Sequence, residues 1–346
     1  MAQAVRLAAL GRCRTHPNPM VGCVLVRDGQ VVGTGYHRWA GEPHAEAYAL
    51  GEAGDLAGGA TAYVTLEPCA HFGRTPPCAD ALVRAGVARV VAAMVDPDSR
   101  VAGRGLERLR TAGVAVETGC GEAEAVALNR AYLKLRKTGR PLVILKWAMT
   151  LDGKIAAATG DSKWVTGEAA RAQVHQIRDQ VDAILVGRGT VEADDPELTC
   201  RATAPGPLPG WAGGLDPGPD PSWAPRHPLR IVLSRSGRLP SAARIRHVTV
   251  AADPVALLDD LGRQGIASLL VEGGAQTHWS FLSQGLADYL MVYVAPKIIG
   301  GATAKGPVGG EGFARMAQAL RLSGLKATWL GEDLLLEGEV PPCSPA

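Results

Sequence analysis

The sequence predicts an α/β protein built as two domains. Short apolar runs alternate with helical patterns along most of the chain, the pattern of layered α/β folds. Near the middle, Gly139-Arg140-Pro141 interrupts the alternation. A length of 346 residues exceeds what one compact core organises well and suits two. The expected domains are therefore residues 1–141 and 142–346.

Met1 to Leu7 reads as the start of an amphipathic helix and not as a signal peptide, since no long apolar stretch follows. Val21–Val26 and Gln30–Gly35 are strands flanking Arg27-Asp28-Gly29, where Asp-Gly is a strong hairpin signal. His44–Leu50 is expected as a helix, Ala60–Leu66 as a strand, Cys78–Ala85 as a helix and Ala88–Val95 as a strand. A helix over Gly105–Thr111, a short strand over Val114–Val116 and a basic helix over Asn129–Lys137 complete the first half. In the second half, Leu142–Leu145, Ala183–Val186, Arg230–Leu233, Val248–Ala251 and Leu269–Val271 are apolar strands, with helical patterns at Ala169–Arg178 and Val255–Gln264. The stretch from Thr203 to Pro228 is rich in Pro, Gly and Trp without periodicity, so it is expected as a flexible surface insertion outside the core. The Pro-Pro-Cys-Ser-Pro-Ala tail is expected to fray, and no internal repeat is present.

A formal charge of +2 and 5% aromatic residues argue against a nucleic-acid partner. No apolar run approaches the roughly 20 residues that span a bilayer, so no membrane association is expected. Seven scattered cysteines do not form a disulfide framework, which points to a cytoplasmic enzyme.

The chemistry concentrates in His44-Ala45-Glu46, Glu67-Pro68-Cys69 and Pro77-Cys78. An imidazole and two thiolates bind Zn²⁺ and leave a fourth position for water, while Glu46 stays available to carry protons. Histidine-x-glutamate followed by Pro-Cys and a second Cys is the order found in zinc deaminases. There two residues usually separate the cysteines, whereas eight do here. The alternative is a closed structural zinc site with His71 as a fourth ligand. Cys13, Cys23, Cys120, Cys200 and Cys343 have no partner at metal spacing.

Thr15 to Gly22, Gly41 to Glu46, Tyr63 to Cys69 and Gly73 to Cys78 closely resemble the deaminase half of the bifunctional riboflavin-biosynthesis deaminase–reductases. The resemblance implies a cytidine-deaminase-like three-layer domain. It also implies a substrate, 2,5-diamino-6-ribosylamino-4(3H)-pyrimidinone 5′-phosphate, that loses ammonia from ring carbon 2. It further implies that Asn18 and His37 line the pyrimidine pocket, that Arg74 and Asp96 contact the ribosyl phosphate, and that the longer cysteine loop turns His71 and Arg74 toward the substrate. Asn18 could equally serve as a turn residue between prolines, and His37 and Asp96 as ordinary strand ends.

Read from residues alone, the second half carries weaker signals. Val271-Glu272-Gly273-Gly274-Ala275 joins a strand to a helix through paired glycines. Such a junction admits a phosphate at the helix end, though a plain tight turn is the simpler account. Asp182–Thr190 runs from a strand into a glycine-rich turn, and no Gly-x-Gly-x-x-Gly fingerprint supports a Rossmann domain.

Lys146–Lys154, Asp161–Thr166, Asp182–Arg201 and Val271–Gly274 are similar to the reductase half of the same family. The resemblance implies a dihydrofolate-reductase-like domain that uses NADPH to reduce the ribosyl group to ribityl. Carried over, it places Ala148, Trp164, Thr190, Asp194, Gly274, Ala275, Gln276 and Thr277 at the cofactor. Ser162, Arg178, Leu198, Arg201 and Glu272 hold the substrate, with the arginines pairing bidentately with its phosphate. A solvated helix face for Arg178, a core position for Trp164 and a strand-end ion pair for Lys146 and Asp152 are the bland alternatives. The chain departs from the family at Ser234-Arg235, where an Asp is common. Ser234 and Arg235 are then the candidates for the cofactor 2′-phosphate.

Two rival functions remain at this stage. One is a nucleic-acid-editing deaminase with a binding appendage. The other is a single-activity deaminase whose second domain only drives assembly. A homo-oligomer is expected for the leading reading.

Overall fold

The computed structural model describes residues 1–70, 76–98, 101–241, 243, 245 and 248–341. It divides into two compact units, Met1–Gly139 with Pro207–Pro219, and Arg140–Gly206 with Asp220–Ala346.

The first unit runs α1 (Ala2–Ala9), β1 (Gly22–Arg27), β2 (Gln30–Tyr36), α2 (Ala45–Ala53), β3 (Thr61–Val64), α3 (Cys78–Arg84), β4 (Arg89–Ala92), α4 (Arg104–Thr111), β5 (Ala115–Thr118), α5 (Glu122–Leu128) and α6 (Arg130–Thr138). Its sheet has the order β2-β1-β3-β4-β5. The β2-β1-β3 portion is antiparallel and β3-β4-β5 is parallel. The hairpin turns at Asp28 and Gly29, with φ of 50° and 76°, the left-handed pair a type I′ turn requires.

α2 buries an alanine face of Ala45, Ala49 and Ala53. Opposite stand Gly33 and Gly35 of β2, where an added Cβ would lie 2.2 Å from the carbonyl oxygens of Ala49 and Ala45 respectively. No side chain fits between helix and strand, so α2 rests directly on the sheet. This contact fixes the height of its first turn, which carries His44 and Glu46. Leu25, Val64, Leu82, Val90 and Leu109 fill the surrounding core and are fully buried.

The segment 203–228 does not behave as a coreless insertion throughout. Leu208, Trp211 and Ala212 are buried to 2% exposure or less. The Gly210–Ala212 3₁₀ turn packs on α5 and α6, and the Arg12 guanidinium donates to the Gly218 carbonyl. Burial of one indole outweighs the absence of a periodic pattern.

The second unit runs β6 (Leu142–Thr150), α7 (Glu168–Gln180), β7 (Ala183–Gly187), α8 (Arg188–Asp194), β8 (Leu229–Leu233), β9 (Val248–Ala251), α9 (Pro254–Arg263), β10 (Ser268–Val271), α10 (Ala275–Leu282), β11 (Tyr289–Ala295), β12 (Ser323–Leu330) and β13 (Asp333–Glu339). The eight strands lie in the order β12-β13-β11-β6-β10-β7-β8-β9. All neighbours from β11 to β9 are parallel, while β13 is antiparallel to β11 and β12. Leu142 to Leu145 are buried to 2% or less, as expected of a central parallel strand covered on both faces. α9 begins with Asp253 accepting from the Ala256 amide and with Pro254 in the first turn, a strong helix start. The glycine-rich turn expected after Gly187 is instead the short helix α8.

Trp211→Ala removes a fully buried indole from the first unit and should cost about 3 kcal/mol or more. Urea unfolding followed by far-UV circular dichroism measures this; an unchanged midpoint would show that the segment is not part of the core.

Candidate active sites

In the first unit, three chain segments bring one donor each to a single point. His44 is the N-cap of α2, Cys69 follows β3, and Cys78 opens α3. Their donor atoms lie within 4.8 Å of one another. His44 Nδ1 is 3.2 Å from Cys78 Sγ and 3.6 Å from Cys69 Sγ. A tetrahedral zinc with ordinary Zn–S and Zn–N bonds has N···S edges of about 3.5 Å, so the donors fit the ion as they stand. The cluster itself favours a thiolate. The Cys69 thiol is drawn down to about 4 by hydrogen bonding from Cys78, with His44 adding to it against the opposing effect of burial. The Cys78 amide also donates to Cys69 Sγ at 3.3 Å. Hydrogen bonding to Cys69 lifts His44 to about 9. Burial raises Glu46, which is 3% exposed.

His44, Glu46 and Cys69 line one cavity together with Asn18, His37 and Asp96. The His37 ring faces the Pro43 carbonyl through Nδ1 at 3.1 Å and the Asn18 amide nitrogen through Nε2 at 3.1 Å. A proton on Nδ1 satisfies both contacts, and burial keeps the ring toward its neutral form. Asp96 accepts from the Tyr132 hydroxyl and from the Asp98 amide at 2.9 Å each. Asn18, His37 and Asp96 are thus gathered at the cluster. Arg74 and His71 lie outside the described residues.

Four polar lining residues escaped the sequence reading as site members: Glu67, Asp98, Tyr132 and Arg136. Glu67 is 4% exposed and accepts the backbone amides of Asp96, Gly103, Gly105 and Leu106 at 2.8–3.3 Å. It ties the start of α4 beneath the Cys69 loop. Its place in Glu67-Pro68-Cys69 was the only signal, and nothing local distinguishes Tyr132 and Arg136 from other members of a basic helix.

In the second unit, Thr190 and Asp194 follow β7, Ser234 follows β8, and Glu272 and Gly274 follow β10, at the C-terminal ends of parallel strands where open α/β sheets bind ligands. Gly273 and Gly274 have φ of 146° and 89°. A Cβ on Gly274 would meet Thr190 Oγ1 at 3.1 Å, and one on Gly187 would meet Thr277 Oγ1 at 2.2 Å. Bare backbone, two hydroxyls and the start of α10 therefore form a cradle that fits the phosphates of a dinucleotide. Thr190 and Asp194 sit on α8, and Ser162 Oγ is 3.5 Å from Asp194 Oδ1. Ala148 is on β6 and Gln276 on α10. Ser234 is buried, donates to the Arg238 carbonyl at 2.8 Å and touches Ser236 Oγ.

Arg178 differs from its expectation. Its Nε and Nη2 grip Glu272 at 2.7 and 2.9 Å, and Nη1 donates to the Thr199 carbonyl. The fork expected on the substrate phosphate is thus already occupied, and the solvated-face alternative fails as well, because the side chain is 13% exposed. Arg201 is exposed and pairs with Glu197 at 2.9 Å, and Leu198 is buried with φ of 55°. Trp164 is 63% exposed and carries Arg171 over its ring, so it is not a core aromatic. Lys146 pairs with Glu272 at 3.5 Å and not with Asp152, which accepts from Thr150, Ile299 and Gly300. Burial opposes the charge on Glu272, but Arg178 and Lys146 overcome it and hold the carboxyl at about 2.

The sequence profile of the cytidine and deoxycytidylate deaminase zinc-binding region matches residues 1–94, and that of the RibD C-terminal domain matches residues 141–336. The riboflavin biosynthesis protein RibD of Escherichia coli is 44% identical, with 97% of each chain covered. The chain belongs to the RibD family. RibD of Acinetobacter baumannii superposes with a TM-score of 0.86 at 40% identity, covering 98% of this chain and 97% of that one. A Thermotoga maritima protein titled diaminohydroxyphosphoribosylaminopyrimidine deaminase/5-amino-6-(5-phosphoribosylamino)uracil reductase gives a TM-score of 0.83 at 33% identity, covering 99% and 97%. As a RibD, the chain is a bifunctional enzyme of riboflavin biosynthesis, a zinc deaminase of cytidine-deaminase type followed by a dihydrofolate-reductase-like reductase. The nucleic-acid-editing and single-activity readings fall away. Zinc serves the first activity and a nicotinamide cofactor the second.

Glu272 has its carboxyl lowered from 4.5 to about 2, so its charge stabilises the fold above about pH 4.5 and that contribution fades as the pH falls toward 2. Glu272→Gln is expected to be less stable than the parent at neutral pH and to lose less on acidification. Parallel acid-unfolding curves in this interval would contradict the assignment.

Proposed function

We propose that the first unit deaminates a diaminohydroxyphosphoribosylaminopyrimidine, and that the second reduces the resulting 5-amino-6-(5-phosphoribosylamino)uracil with NADPH. The convergence of His44, Cys69 and Cys78 on one point beside buried Glu46 carries this reading. The Thermotoga maritima relative is named for the same two substrates.

His44, Cys69 and Cys78 would hold the zinc, which would supply Lewis acidity at this end of the cavity. Glu46 takes the proton of the attacking water and returns it to the departing amine, so ring carbon 2 exchanges its C–N bond for a carbonyl and ammonia leaves. Its elevated proton affinity suits a group that must both accept and release. Asn18 and His37 orient the pyrimidine, while Asp96 and Arg74 address the ribosyl phosphate.

In the second unit a bound nicotinamide cofactor would supply hydride chemistry toward C1′ of the ribosyl group. Ala148, Trp164, Thr190, Asp194 and Gly274 to Thr277 receive the dinucleotide. Ser162, Leu198, Arg201 and Glu272 face the substrate, with Arg178 positioning Glu272. Ser234, Arg235 and Arg188, whose Nη1 donates to Ser236 at 2.9 Å, supply the hydroxyls and guanidinium that suit a 2′-phosphate. That setting supports NADPH.

The enzyme works in the cytoplasm: the six cysteines among the described residues are free thiols, and no described helix is long and apolar enough to cross a membrane. It works as a homo-oligomer, with a second copy covering β12. This edge strand exposes Leu325 and Trp329, and the preceding segment exposes Met316, an apolar edge that soluble proteins seldom leave bare.

Glu46→Gln is expected to retain zinc and lose roughly 10²–10⁴-fold of its deamination rate, with NADPH oxidation on supplied aminouracil phosphate unchanged. Ammonia release and metal analysis on one preparation measure both; substantial residual deamination would refute the role. Light scattering should find the parent as a multimer and Trp329→Glu shifted toward monomer. A monomeric parent would contradict the assembly.

A further inference from the structure

The deaminase cavity contains four carboxylates, those of Glu46, Glu67, Asp96 and Asp98, yet the proposed substrate arrives with a phosphate. A dianion entering such a pocket needs a fixed cation. Among the described lining residues, Arg136 carries the one guanidinium or ammonium group. It lies in the last turn of α6.

Its present contacts are few and replaceable. Nη2 donates to the Pro17 carbonyl at 3.1 Å, next to Asn18. Nε stands 3.6 Å from Asp98 Oδ2, too far for a hydrogen bond, and has no other partner although it is buried. The guanidinium packs over the Tyr132 ring at 5.2 Å, which fixes its plane one turn from the residue that holds Asp96. The side chain is 26% exposed, so it stands partly open to solvent.

We infer that Arg136 is a substrate-binding residue of the deaminase, anchoring the phosphate of the incoming nucleotide. The inference rests on the substrate proposed above. The phosphate takes the place of Asp98 at the guanidinium, converting a loose ion pair into charge-assisted hydrogen bonds. Tyr132 and the Pro17 carbonyl keep the group aimed while the partner changes. No bond is made or broken in the step.

The test is steady-state ammonia release from the phosphorylated diaminopyrimidinone and from the same compound without its phosphate, for the full-length zinc-loaded parent, Arg136→Met and Arg136→Lys. Arg136→Met should raise KM for the phosphorylated compound at least ~10-fold, with kcat within about twofold. KM for the dephosphorylated compound should be unchanged, and Arg136→Lys should recover part of the loss. Zinc content equal to the parent confirms an intact pocket. If Arg136 only braces Asp98 or ends α6, both compounds will suffer alike, and the inference is overturned. It is equally overturned if neither responds. A parent that releases no ammonia from the phosphorylated compound would instead overturn the substrate assignment on which it stands.

Discussion

The first activity depends on a geometric constraint that has nothing to do with metal chemistry. α2 lies against the bare backbone of Gly33 and Gly35, so its first turn sits at one height above the sheet. His44 caps that turn and Glu46 lies within it, while the Cys69 loop is held from below by Glu67 and from the side by the Cys78 amide. The donors are therefore spaced as a tetrahedral ion requires. The same scaffold puts Glu46, the proposed proton carrier, in the cavity with His44 and Cys69.

The two units solve the problem of buried charge differently. In the first, Glu67 is neutralised by four backbone amides and Asp96 by a hydroxyl and an amide, so the cavity keeps its acidic character without a local cation at each carboxylate. In the second, Glu272 is met directly by Arg178 and Lys146. Breaking such a pair leaves an uncompensated ion in a dry place, which is costly. That rigidity serves a site that must hold a cofactor and a substrate side by side at the ends of parallel strands.

Much of this was legible in the linear sequence, and the exceptions have physical reasons. The Asp28-Gly29 hairpin follows from local sterics, and the His-x-Glu and Cys segments carry their chemistry in their spacing. The expected strand at Leu142–Leu145 runs on to Thr150 along β11; Lys146 breaks the apolar run in the sequence, which hid the second half. β12 gave no signal: it is exposed along most of its length, so neither face imposes alternation. Trp211 sits in a segment whose composition suggests only loop, and its burial depends on α5 and α6 more than seventy positions away. Tyr132 and Arg136 were likewise hidden, since their importance comes from facing Asp96 and Pro17, contacts no local pattern encodes. For Arg178 the sequence carried no sign of its pairing with Glu272, because the two lie 94 positions apart and no local pattern encodes the contact.

The central claim is that zinc is held by one imidazole and two sulfurs with a position left for solvent. X-ray absorption at the zinc edge of the full-length protein tests it most directly. The account predicts a first shell of two sulfurs at about 2.3 Å and two lighter atoms at about 2.0–2.1 Å, only one of them showing imidazole outer-shell scattering. A second imidazole or a third sulfur would mean a sealed structural site and would contradict it.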